Sequence, residues 1–149
     1  GLRDAFQKGI PILAICIGCQ IALSKSEEDD TSGDGTSCVH LVDGEVIRFP
    51  SAPGVKIPHM GWNQVKFLKP HPVLEAIPQN SDFYFVHSFY PKPEKKDDCF
   101  GITQYAGVEF SSTFSRNNLF ATQFHPEKSG QVGLKLIANF LKWKPGGAC

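Results

Sequence analysis

An α/β fold with a mixed sheet follows from three features of this 149-residue chain. A continuous apolar run over 11–15 is what a parallel strand buried on both faces requires. From Gly44 onward, short segments of alternating apolar and polar residues are bounded by Pro and Gly clusters, the pattern of strands joined as antiparallel hairpins. Near the end, Val132, Leu136, Ile137, Phe140 and Leu141 recur at helical spacing.

The elements follow in order. Residues 2–8 carry a short helical pattern, 11–15 form the buried strand, and 20–25 read as the next helix. Residues 26–37 are acidic, rich in Gly, Ser and Thr and without periodicity, so they read as a surface loop. Strands are expected over 45–49, 64–68, 83–87, 101–105, 109–114 and 119–124, and a helix over 132–143. Pro145-Gly146-Gly147 ends that helix, with Lys142 and Lys144 near its negative pole. No repeat and no linker divides the chain, so a single domain over 1–149 is expected.

Composition narrows the function classes. At 41% hydrophobic and 20% charged residues, the chain has the make-up of a soluble globular protein. Fifteen basic and fifteen acidic side chains cancel, and no dense Lys/Arg cluster offers a surface to nucleic acid. The apolar stretch 10–23 is broken by Pro11 and Gln20, is too short to span a membrane and lacks a small-residue cleavage site. Five cysteines, Cys16, Cys19, Cys38, Cys99 and Cys149, are odd in number and irregular in spacing, which points to a reducing compartment. A cytoplasmic location is expected, or a plastid if the source is a plant or alga. The acidic run Glu27-Glu28-Asp29-Asp30 has no defined ligand loop and reads as a solvated face, so neither metal nor cofactor is expected.

Two short motifs point to chemistry. In Ala14-Ile15-Cys16-Ile17-Gly18 a cysteine follows the apolar strand, flanked two places away on each side by small residues, as a nucleophile on a sharp strand-to-helix turn requires. Such a turn aims the thiol at the start of the next helix, where N–H groups favour thiolate. In Phe124-His125-Pro126-Glu127, proline holds His125 extended, and residues two apart in extended chain point to one side. Glu127 is then placed to hold one nitrogen of His125 and leave the other free as a base. Each motif has a plainer reading: Cys16 as a small buried hydrophobe, and His125 as a strand cap with Glu127 opening the final helix. The C-x-x-C spacing of Cys16 and Cys19 also allows a redox pair, although the chain lacks the surroundings of a thioredoxin-like motif. Both motifs lie at the carboxyl ends of expected strands, where open α/β sheets gather their sites, and a Cys, a His and an acid there can form an acyl-enzyme.

Ala14-Ile15-Cys16-Ile17-Gly18-Cys19-Gln20 together with His125-Pro126-Glu127 resembles the class I, triad-type glutamine amidotransferases over essentially the whole chain. Three ordered segments, 58–63 (Pro-His-Met-Gly-Trp-Asn), 83–90 and 123–129, are similar to the glutaminase subunits of imidazole glycerol phosphate synthases of histidine biosynthesis. The resemblance implies a three-layer, flavodoxin-like fold with a mixed sheet. It implies Cys16 as the nucleophile toward the side-chain amide of L-glutamine, His125 as base and then acid, and Glu127 as its orienter. The Ile17 N–H would be an oxyanion donor, with Gln20 and the Ser88 and Phe89 backbone holding the substrate. His59, Met60, Trp62, Asn63 and Lys128 would face a cyclase, either a separate subunit or a fused domain. The same resemblance implies strands and a Gly-rich turn before the nucleophile, whereas fifteen residues precede Cys16, so the fold is expected to lack its N-terminal strands. Residues 27–42 are also longer and more acidic than the family pattern and contain Cys38, a change that would bear on stability or docking. Two alternatives stay open: a truncated, non-catalytic remnant acting as a binding partner, and a cysteine hydrolase of γ-glutamyl compounds.

Overall fold

The computed structural model describes residues 1–28, 30 and 32–146. Helix α1 (Leu2–Gln7) leads into strand β1 (Ile12–Ile15), and α2 (Ile17–Ile21) follows at once. Eight further strands come next: β2 (Lys25–Ser26), β3 (Thr36–Ser37), β4 (Gly44–Arg48), β5 (His59–Phe67), β6 (Ser81–His87), β7 (Phe89–Pro93), β8 (Cys99–Tyr105) and β9 (Val108–Arg116). Strand β10 (Leu119–Thr122) and helix α3 (Gly130–Lys142) close the chain. The expected mixed sheet is realised as two. A six-stranded sheet runs β1-β10-β9-β8-β5-β6, and a four-stranded one runs β3-β2-β4-β7.

In the larger sheet β1 and β10 are parallel, in register from Ile12 with Leu119 to Ile15 with Thr122, and the other pairings are antiparallel. Strand β10 is buried along its whole length, and its alternating side chains serve two cores. Phe120 joins Phe83, Phe85, Phe110, Phe124 and Leu136 of α3 in one cluster. Leu119 and Ala121 join Ala14, Cys19, Leu23 and Val46 in the other. The sheet is therefore the middle of three layers, as expected of the fold. No helix among the described residues is long and apolar enough to cross a membrane.

Several boundaries differ from those the sequence suggests. The helix expected over 20–25 instead begins at Ile17 and ends at Ile21. Its terminal carbonyls are taken by the returning chain, where the N–H groups of Val39, His40, Leu41 and Val42 donate to Ile21, Leu23 and Ala22. Lys25 and Ser26 are thereby released into β2, which pairs with β3, so the expected loop 26–37 is pinned at both ends. Inside it, Asp30 accepts from the N–H groups of Ser32, Gly33 and Gly35, and Glu27 Oε2 accepts from Arg48 N–H. Asp29 of the acidic run, and Gly147 of the terminal turn, lie outside the described residues. Strand β5 starts at His59 rather than Gln64, and pairs with β6 across all of 59–65. Strand β7 was hidden by Pro91 and Pro93; it is an edge strand, where a missing donor costs least.

Three histidines are part of the packing. His59 stacks between the rings of Phe85 and Tyr105, with centroids at 4.7 and 3.9 Å. His87 lies 5.2 Å from both Phe49 and Phe110, and His71 packs between Phe120 and Trp143. Burial lowers all three, His59 and His71 to about 4 and His87 to about 3. An unfolded chain binds these protons near pH 6.5, whereas the native state refuses them until pH 4 or below. Stability should therefore fall as pH drops from about 6.5 toward 4. Urea unfolding at stepped pH checks this, and a flat stability across that window would contradict it. A second test concerns Gly133 of α3, where an added Cβ would lie 1.9 Å from the Pro126 carbonyl oxygen. Helix propensity alone favours alanine by about 1 kcal/mol. We expect the opposite sign, with Gly133→Ala destabilising by about 1–3 kcal/mol in urea unfolding because backbone must move.

Candidate active site

Cys16 caps α2 with φ 54°, ψ −107°, a left-handed backbone that a non-glycine residue adopts only where its surroundings impose it. The turn is clamped on both sides: Cys16 N–H donates to Thr122 O at 2.8 Å, and Cys16 O accepts from the N–H groups of Cys19 and Gln20. The crowding is milder than a sharp turn suggests, because a Cβ on Gly18 would meet only the Ala14 Cβ, at an ordinary 3.8 Å.

The parallel register brings the second motif to the same place. Thr122 ends β10 opposite Ile15, so Cys16 and the segment from Gln123 to Glu127 leave the sheet side by side. His125 is extended (φ −99°, ψ 98°), as the proline after it dictates, and it bridges Tyr84 of β6 through an N–H donated to Tyr84 O at 2.9 Å. Its Nδ1 lies 3.0 Å from Glu127 Oε2. A carboxylate only accepts, so Nδ1 carries the proton and Nε2 is left free. Ser129 Oγ donates to His125 O at 2.5 Å and accepts from Tyr84 N–H at 2.9 Å, which ties the turn 126–128 to β6.

The thiol differs from the expectation of a lowered pKa. Burial pushes Cys16 up, and the negative charges of Glu127 and Glu28 add to it, while the Ile17 N–H against the sulfur and the Lys128 charge pull the other way. The resting group is a thiol, and it donates to Val86 O at 3.8 Å. Cys19 is fully buried and raised further by the same effect, and its thiol donates to Gln123 Oε1 at 3.7 Å.

Gln20 is buried, and its Nε2 donates to Phe89 O at 3.1 Å and to Gln123 Oε1 at 2.8 Å. Phe89 O also accepts from His87 Nδ1 at 2.7 Å. That bond settles the tautomers beneath the site. With Nδ1 protonated, neutral His87 must accept at Nε2 from His59 Nδ1 (2.9 Å), and His59 Nε2 then accepts from Asn63 Nδ2 (3.2 Å). Ser88 O is held by Phe49 N–H at 3.1 Å. Beside Gln20 opens a hollow of about 360 Å³, lined by Ile17, Gln20, Ile21, Ser26, Glu28 and the stretch 36–39.

Hydrogen bonds thus join Cys16, Gln20 and Phe89 through Gln123, and a separate one joins His125 to Glu127, whose charge acts on Cys16; none links the Cys16 sulfur to His125 among the described residues. The residues expected at a docking face divide. Met60 (62% exposed) and Trp62 (58%) project from one face of β5, Trp62 meets Tyr84 edge-on at 6.1 Å, and Lys128 Nζ lies 6.0 Å over the same Tyr84 ring. His59, at 3% exposed, and Asn63, which donates to Gln104 O, are on the other face of β5. Two residues of the site were not foreseen. Gln123 joins Cys16 to Gln20, and its signal was its place two residues before His125 on extended chain. Glu28 was read as part of a solvated run, and no local pattern sets it apart from its acidic neighbours.

Comparison with known proteins agrees with this geometry. Residues 2–143 match the family described as glutamine amidotransferase class-I. The chain is 47% identical over 145 residues to the imidazole glycerol phosphate synthase subunit HisH of Dehalococcoides mccartyi, covering 97% of this chain and 67% of that protein. It is 45% identical over 139 residues to the HisH subunit of Moorella thermoacetica, covering 93% and 63%. The HisH subunit of Methanocaldococcus jannaschii is 48% identical over 134 residues, covering 89% and 64%. The chain therefore spans about two thirds of the length of the curated relatives it matches. Among solved structures, a putative GMP synthase subunit of Thermoplasma acidophilum shares the fold with a TM-score of 0.67 at 20% identity, over 95% of this chain and 61% of that one. A glutamine amidotransferase of Thermotoga maritima does so with a TM-score of 0.59 at 14% identity, over 95% and 51%. With a cysteine and a Glu-held histidine at the ends of two paired parallel strands, the chain belongs to the class I glutamine amidotransferases.

Proposed function

We propose that residues 1–149 form a glutaminase domain that hydrolyses L-glutamine through a thioester on Cys16 and passes the ammonia to a cyclase partner, as a subunit of an imidazole glycerol phosphate synthase. The observation that supports this reading most is the placement of His125, with Nδ1 on Glu127 and Nε2 free, beside the turn that carries Cys16. The likeness to HisH subunits supports the substrate and the partner.

The chemistry then runs as a proton relay around one acyl transfer. His125 Nε2 takes the Cys16 thiol proton, and the sulfur attacks the side-chain amide carbon of glutamine. The Ile17 N–H supports the oxyanion as the tetrahedral intermediate forms. The C–N bond breaks as His125 returns the proton to the leaving nitrogen, which departs as ammonia. Water, deprotonated by His125 Nε2, then attacks the thioester carbon, the C–S bond breaks, and His125 returns the proton to the sulfur, giving glutamate and free thiol. Glutamine would enter beside Gln20 and the Phe89 backbone, with its α-ammonium group facing Glu28 in the adjoining hollow. For the first step the thiol must leave Val86 O and turn to His125. The exposed Met60, Trp62 and Lys128 form the surface proposed to meet the cyclase, next to His125 and Glu127.

A glutamine analogue bearing a chloroketone in place of the amide tests the reading by intact mass, with and without an added cyclase subunit. One adduct is expected, lost in Cys16→Ala, and His125→Ala should lower ammonia release about 100- to 10,000-fold. Absence of any adduct under both conditions would refute the glutaminase reading.

A further inference from the structure

Gln123 is fully buried, and its single carboxamide joins three groups of the site. Its Oε1 accepts from Gln20 Nε2 at 2.8 Å and from the Cys19 thiol at 3.7 Å, and its Nε2 donates to Cys16 Sγ at 3.8 Å. The polarity of this amide is set by its neighbours. Gln20 reaches Phe89 O, an atom that only accepts, with the same nitrogen that it turns to Gln123, so Gln20 presents a donor. A flipped Gln123 would set its NH₂ against that donor and leave buried groups unpaired, at a cost the native arrangement avoids. The N–H that meets the nucleophile is therefore fixed by a chain of contacts running Phe89 O, Gln20, Gln123, Cys16.

We propose that Gln123 is a positioning residue of the glutaminase reaction, holding Cys16 Sγ in register with Gln20 and supplying an N–H to the sulfur as its proton leaves. The inference rests on the glutaminase reading for its reaction, but the contact itself is independent of substrate. A neutral donor suits this position. Burial and the charges of Glu127 and Glu28 oppose ionisation of Cys16, and an N–H···S bond strengthens when the sulfur becomes anionic. The same carboxamide holds Gln20, so one group contacts both the sulfur and the side chain proposed to hold the substrate.

The test compares Gln123→Glu, which keeps shape and acceptor but sets an anionic oxygen against the sulfur, with Gln123→Met, which keeps volume and removes both polar ends. For folded variants, the rate of Cys16 alkylation by iodoacetamide is followed against pH by peptide mass, and kcat and KM for glutamine are measured with the cyclase present. The alkylation midpoint should rise by about one unit or more in Gln123→Glu and by less in Gln123→Met. The rate at pH 7 then drops about tenfold or more in Gln123→Glu, with kcat falling more than KM rises. Superposition of all three pH profiles would overturn the proposal. The unsubstituted chain provides a second readout that does not depend on variants folding. The Gln123 side-chain NH₂ resonances should titrate with the same midpoint as Cys16 alkylation, and resonances that stay fixed through that midpoint would also overturn it. If those resonances titrate but the chloroketone gives no adduct, the glutaminase reading fails while the role of Gln123 at Cys16 stands.

Discussion

The parallel pairing of β1 with β10 is the constraint from which the rest of the site follows. Four residue pairs, Ile12 to Ile15 against Leu119 to Thr122, bring two segments that are more than a hundred residues apart in the chain to one end of the sheet. The pairing is held from both faces, since alternate residues of β10 enter two separate apolar clusters. A one-residue slip would exchange the two faces and bury the wrong side chains, so the register is specified by the core rather than by the site. The site takes what the register delivers: Cys16 N–H on Thr122 O, Gln123 on the sulfur and His125 beyond it.

Beneath the site, a second constraint is the pairing of buried polar groups. Phe89 O accepts from both His87 and Gln20, and from that one carbonyl the proton positions of His87 and His59 and the orientation of Gln20 and Gln123 follow in turn. The aromatic packing that keeps these histidines neutral lets each serve as one donor and one acceptor, which a protonated ring could not do. Stability and the geometry of the candidate site therefore draw on the same groups, and acid should disturb both.

Much of this was legible in the sequence, for identifiable reasons. The strand over 12–15, the cysteine at its end and the histidine held extended by Pro126 follow from local rules of backbone and periodicity, and the structure places them there. The expected burial on both faces does not hold: β1 is the edge of the sheet and buries only Ala14, while the fully buried strand is its parallel neighbour β10. The start of β5 was hidden because Gly61 and the mixed polar residues of 59–63 blur a period of two, although Met60 and Trp62 do alternate outward. The end of α2 was hidden because the groups that stop it, in 39–42, are distant in sequence. The thiol differs from the expectation because burial of the sulfur outweighs the Ile17 N–H that favours thiolate, and the charges of Glu127 and Glu28 act in the same direction as burial. His59 and Asn63 could be assigned to a motif but not to a face until the register of β5 was known.

The most direct test of this account is the hydrogen bond that joins the turn carrying Cys16 to β10. Through-hydrogen-bond scalar coupling in a labelled sample reports donor and acceptor together. The account requires a coupling from the Cys16 amide nitrogen to the Thr122 carbonyl carbon, with slow exchange of the Cys16 amide proton. A fast-exchanging Cys16 amide with no such coupling, or a coupling to a different carbonyl, would contradict it.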